Sequence, residues 1–121
     1  MTNKKTLVLG ASEKPERYSY KAIHMLRKYN MDVEAIGNRA GKVADVTFDK
    51  QPKPFVGIHT VTLYLGPSNQ TPYYDYILSL NPKRLIFNPG TENDILWDIA
   101  RQQGIECMEA CTLVLLSTGQ Y

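Results

Sequence analysis

Residues 6–19, Thr6-Leu-Val-Leu-Gly-Ala-Ser-Glu-Lys-Pro-Glu-Arg-Tyr-Ser19, decide how the rest of the chain is read. Thr6 to Leu9 is a short apolar run of the kind a strand buried on both faces presents. Gly10 follows at once, where a residue without a side chain lets the backbone turn tightly and approach a neighbour. From about Ser19 to Tyr29 the spacing changes to that of a helix, with Ala22, Met25, Leu26 and Tyr29 on one face and Asn30 as the stop. Strand, glycine-led loop and helix in this order form half of a βα unit. The helix start offers free N–H groups and the positive end of its dipole to an anion. Ser12 and Ser19 add hydroxyl donors beside it, and Arg17 adds a fork-shaped cation suited to phosphate oxygens.

Outward from this unit the alternation continues. Met31 to Ile36 reads as a second strand closed by Gly37, and Val43 to Phe48 as a weaker third strand at an edge. Gln51 to Pro54 is a loop. His59 to Leu65 alternates and is rich in β-branched residues, so it is a strand ended by Gly66-Pro67. Pro72 to Leu80 is a helix with Tyr73, Tyr76, Ile77 and Leu80 on one side, stopped by Asn81-Pro82. Arg84 to Phe87 is a strand. Thr91 to Gln103 is a helix with Thr91 as its cap, Ile95, Ile99 and Ala100 on its apolar face, and Gly104 at its end. Ile105 to Met108 is the last core strand, and Thr112 to Leu116 is a short apolar tail that fits strand or helix. The expectation is a Rossmann-like α/β fold: a doubly wound parallel sheet of about five strands with helices on both faces. Its ligand site would lie beyond the carboxyl ends of the strands, near the switch point.

Composition agrees with one domain over residues 1–121. A hydrophobic share of 43% against 21% charged residues is a globular balance. No apolar run approaches the ~18 residues of a membrane span, and the start carries no signal-peptide pattern, so a cytoplasmic protein off the membrane is expected. Residues 1–53 contain eleven Lys/Arg and six Asp/Glu, whereas residues 54–121 contain three and six. The basic residues are interleaved with acids, which does not form a nucleic-acid stripe.

The loop after the second strand, Gly37-Asn-Arg-Ala-Gly-Lys42, lacks the acid that would grip the ribose hydroxyls of NAD. Asn38 and Arg39 leave NADP or the 3′-phosphorylated ADP of coenzyme A as candidates. Leu9 to Ser19 then resembles the Gly-x-Ser-x-x-Pro-x-Arg-x-Ser opening of the small CoA-binding domain family, which is similar to the nucleotide-binding domain of the succinyl-CoA synthetase α subunit. The similarity runs over nearly the whole chain, through the Asn-Arg pair with Gly41, Gly90 and Cys111. It implies CoA or acyl-CoA as ligand, with Gly10, Ala11, Ser12, Arg17, Ser19, Asn38 and Arg39 as its binding residues. The chain departs from the family pattern at Asn88-Pro-Gly-Thr-Glu92 and after Cys111, positions that bear on the adenine or pantetheine wall.

No catalytic residue and no metal site are expected. His24 lies in the first helix, and His59 opens a strand at the end opposite the ligand edge. Cys107 and Cys111 lack ligand spacing. Cys111 follows the last strand, where it either packs or meets the CoA thiol as a mixed disulfide. Tyr73, Tyr74 and Tyr76 are expected to pack in part, leaving one ring for a dimer surface or an adenine wall, so a homodimer stays open. The leading expectation is a carrier or sensor of CoA. The alternatives are a protein-interaction domain with a degenerate pocket and a fragment of an NADP-binding oxidoreductase.

Overall fold

A computed structural model describes all residues from Met1 to Tyr121. Strands β1 (Thr6–Ala11), β2 (Val33–Gly37), β5 (Thr60–Leu63), β6 (Arg84–Phe87) and β7 (Glu106–Glu109) form one sheet in the order β2-β1-β5-β6-β7, and every pairing is parallel. Between β2 and β5 a small antiparallel hairpin, β3 (Gly41–Val43) and β4 (Val46–Phe48), stands apart from this sheet. The helices are α1 (Tyr18–Lys28), α2 (Pro67–Gln70), α3 (Tyr74–Leu80), α4 (Asp94–Gln102) and α5 (Thr112–Ser117), with a 3-10 turn at Thr71–Tyr73 before α3.

Successive residues of a strand point to opposite faces, and here the central strands are buried on both because both are covered. Leu7 and Leu9 of β1 lie with Val61, Leu63, Leu85 and Phe87 under α3 and α4, where Ile77, Leu96 and Ala100 close the core. Val8, between them in sequence, lies with Ile86 under α1 and α5, against Ile23, Leu26 and Leu116. The doubly wound parallel sheet expected from the alternation is therefore the observed fold. The chain leaves β1 for β2 on one side and returns past β1 to β5 on the other. The switch point thus falls between β1 and β5.

Four local expectations are corrected. Val43 to Phe48 is not one edge strand but the β3–β4 hairpin, turning at Ala44 with φ 55°. Its apolar residues Val43, Val46 and Phe48 all go inward across that turn, a shape the residue order alone conceals. The helix expected from Pro72 begins at Tyr74, because residues 67–73 are taken up by α2 and the 3-10 turn. The cap of α4 is Asn93, whose side chain accepts the N–H groups of Ile95 and Leu96; Thr91 instead donates its hydroxyl to the Asn88 carbonyl. That helix also buries Leu96 and Ala100 and leaves Ile95 65% exposed, so its apolar face is rotated from the expected one. The tail after Cys111 is helix α5, and Gly104, with φ 86°, ends α4 as expected.

At the amino-terminal edge of the sheet Arg84 is buried without a carboxylate. Its Nε donates to Thr60 Oγ1 at 2.7 Å and its guanidinium lies 4.3 Å from the centre of the Tyr121 ring. Tyr121 is itself buried and bonded to Thr6. No helix is long and apolar enough to cross a membrane.

Candidate functional site

At the carboxyl edge, where β1 and β5 part, one cleft of about 670 Å³ opens. That size falls in the range of ligand clefts, roughly 300–1,000 Å³. Gly10, Ala11, Ser12, Arg17, Ser19, Asn38 and Arg39 all line it. Four segments far apart in sequence build its walls, so the fold has to be in place before the residues meet.

The first wall begins with an irregular step. The register of β1 on β2 slips between Leu9 and Ala11, and Gly10 sits at φ 103°. A Cβ on Gly10 would stand 2.9 Å from both the carbonyl carbon and oxygen of Tyr64. Tyr64 in turn donates its N–H to the Leu9 carbonyl at 2.8 Å. The close approach that demands this glycine is therefore to the backbone leaving β5. The loop then crosses the surface, with Ser12 Oγ accepting the Lys14 N–H at 3.1 Å and the Arg17 N–H bonded to the Lys14 carbonyl at 3.0 Å.

Arg17 is the N-cap of α1 in extended conformation, but no side chain caps this helix and its first turn carries no acid. A helix start normally satisfies its free N–H groups with a Ser, Thr, Asp or Asn oxygen. Ser19, 4% exposed, places its hydroxyl at the same helix start. The chain's ion pairs are Lys5–Glu34, Arg27–Asp45 and Lys53–Asp49. Lys14, Arg17 and Arg39, all on the cleft, carry no internal counter-ion. Three free cations, two hydroxyls and an open helix start converge on one concavity, which suits an anionic ligand.

The opposite wall is Tyr64 to Gly66 and Pro89 to Thr91. A set of amides fixes it. Gln70 Nε2 donates to the carbonyls of Leu65 (2.9 Å) and Thr91 (2.8 Å), and Asn93 Nδ2 donates to Gln70 Oε1 (2.9 Å) and Tyr74 Oη (2.7 Å). Below it Asn88 donates to Thr62 Oγ1 and the Leu63 carbonyl, while its Oδ1 accepts the Thr112 N–H at 2.9 Å. The Asn88–Glu92 segment is thus a rigid wall built from buried amides. Tyr64 Oη is buried next to the Thr62 and Thr112 hydroxyls, which bond each other at 2.7 Å. Burial raises its pKa, so the phenol stays protonated.

The third wall is the hairpin, through Phe48, together with Asn38 and Arg39. Neither Phe48 nor Tyr64 carries a motif signal; each reaches the cleft only because its strand ends there. Glu13, inside the opening motif at an unassigned position, also lines it.

The remaining candidates lie elsewhere. His24 is exposed on α1, its ring tilted against that of Tyr20. His59 is at the amino-terminal edge, bonded through Nδ1 to Thr60 at 2.8 Å. Cys107 is buried under α4, which pushes its thiol up to about 11. Cys111, partly exposed, precedes α5 and does not line the cleft. Tyr73, Tyr74 and Tyr76 pack against the core beneath α3 and α4 rather than on the cleft, with Tyr76 Oη bonded to the Lys53 carbonyl. Its hydroxyl is pushed up to about 12 by burial.

No curated protein matches the chain. A crystal structure of an uncharacterized protein is 45% identical, with TM-score 0.97 and full coverage of both chains. Prb, described as the PH1109 protein redesigned for binding, is 20% identical with TM-score 0.86, over 98% of this chain and 86% of its own. A protein from Thermus thermophilus is 17% identical with TM-score 0.82, over 98% and 91%. The last two show the fold. Residues 4–117 match the family described as CoA binding domain, and with nearly the whole chain inside that match, this protein belongs to the CoA-binding domain family.

Proposed function

We propose that the chain binds coenzyme A, free or acylated, in the cleft between β1 and β5. The diphosphate lies against Ser12, Arg17, Ser19 and the start of α1, with Gly10 and Ala11 leading the backbone into the site. Asn38 and Arg39 face the 3′-phosphate. The protein acts by binding, as a carrier or sensor of the cofactor. The observation that carries this reading is the uncapped, acid-free start of α1 facing the same cleft as the unpaired Arg17 and Arg39. Membership of a CoA-binding domain family supports coenzyme A as that anion.

The test is a map of backbone amide shifts by NMR as CoA is added. The largest changes are expected at Ser12, Arg17 to Ser19, Asn38 and Arg39, with the His59–Arg84 edge unmoved. Changes confined to that opposite edge, or to the exposed face of α5, would refute the placement.

A further inference from the structure

A carboxylate in a cleft that takes an anion opposes binding by its charge, so its presence there calls for a structural reason. Glu13 is such a carboxylate, among Lys14, Arg17 and Arg39. Its Oε2 accepts the backbone N–H of Lys42 at 2.9 Å, across from the first loop to the hairpin. The fit around it is close. A Cβ on Gly41 would stand 2.7 Å from both Glu13 Cγ and Cδ and 2.9 Å from Phe48 Cζ. Glu13 therefore lies on a glycine whose other neighbour is the ring that walls the cleft.

The hairpin packs Val43, Val46 and Phe48 into the core, but it lies outside the five-stranded sheet, to which one backbone bridge, Ile36 to Asp49, joins it. At its turn, Arg27 of α1 grips Asp45 with two bonds of 2.9 Å, which keeps that carboxylate below its ordinary pKa. At its cleft end, the side-chain bond to it is the one from Glu13.

We propose that Glu13 is a positioning residue of this cleft: its carboxylate clamps the β3–β4 hairpin to the first loop and thereby sets how tightly the nucleotide end of the ligand is held. The effect on affinity rests on the reading of the cleft as a CoA site; the clamp itself does not. A glutamine can accept the same bond without the charge, and an alanine cannot. Gly41→Ala evicts the Glu13 side chain while leaving its charge in the protein.

The experiment measures amide hydrogen exchange at Lys42 by NMR, without ligand, in wild type, Glu13→Ala, Glu13→Gln and Gly41→Ala, followed by CoA titration of each. Thermal melting confirms that every variant is folded. Exchange at Lys42 is expected to quicken about three- to tenfold in Glu13→Ala and Gly41→Ala, the range for loss of one ordinary hydrogen bond, and to stay slow in Glu13→Gln. CoA affinity is expected to fall by a similar factor in the first two and to hold or rise in the third, where the bond remains and the charge is gone. Unchanged Lys42 exchange in a folded Glu13→Ala overturns the clamp, as does a Glu13→Gln in which Lys42 exchange quickens as in alanine; quickened exchange with undiminished CoA affinity in Glu13→Ala overturns its role in binding. Failure of wild type to bind CoA, with the exchange pattern intact, refutes the CoA reading and leaves the clamp standing.

Discussion

Two residues show how differently the same loop is constrained. Gly10 is fixed by the backbone of Tyr64, which cannot yield to a side chain. Gly10→Ala is expected to destabilise the fold by about 1–3 kcal/mol, the cost of forcing a side chain into that backbone region, read as a lower midpoint in urea. Arg17 is exposed and unpaired, so its replacement should leave the fold alone. Arg17→Ala should weaken CoA binding about ten- to a hundredfold by calorimetry, the loss of a charge-assisted contact, with an unchanged melting temperature. His59 is a third case, with no part in the cleft. Burial, then Arg84, Lys4 and Lys83, hold its pKa below the ordinary 6.5. A histidine kept neutral in this way contributes stability that is present above that value and lost as pH falls through the lowered folded-state pKa. The drop in melting temperature from about pH 7.5 to about pH 5 is expected to be smaller in His59→Gln than in wild type.

At the scale of elements, the sheet was legible and its punctuation only partly so. β1 and β6 declared themselves as short, nearly continuous apolar runs, the pattern of a strand buried on both faces, and β5 by its alternation and β-branched residues. The β3–β4 hairpin did not, because Ala44, which takes φ 55° at its turn, is not a residue that signals one. Helix α4 was expected in the right place with the wrong cap. Asn93 outcompetes Thr91 because it serves two roles, accepting from Ile95 and Leu96 while donating to Gln70 and Tyr74. Asn93→Ala is expected to cost about 1–2 kcal/mol, the range for a lost cap, and to loosen the Pro89–Thr91 wall. The seven residues named for the site came from a contiguous motif and one strand-end loop, which sequence displays. Phe48 and Tyr64 came from strand order, which no local pattern displays, whereas the Asn88–Glu92 loop, three of whose residues line the cleft, already stands out in the sequence as a pocket wall.

At the scale of the molecule, the two edges of one parallel sheet are put to different uses. The amino-terminal edge closes on itself, with Tyr121 over the buried Arg84 and bonded to Thr6. The carboxyl edge stays open at the switch point, with its cations unpaired and the start of α1 uncapped. Three of the eleven Lys/Arg of residues 1–53, Lys14, Arg17 and Arg39, line the cleft. Calorimetric titration with CoA, dephospho-CoA, NADP and NAD in parallel tests the central claim most directly. Tightest binding to CoA, a clear loss for dephospho-CoA and the weakest response to NAD are the expected results. No heat with CoA, or NADP bound as tightly as CoA, would contradict it.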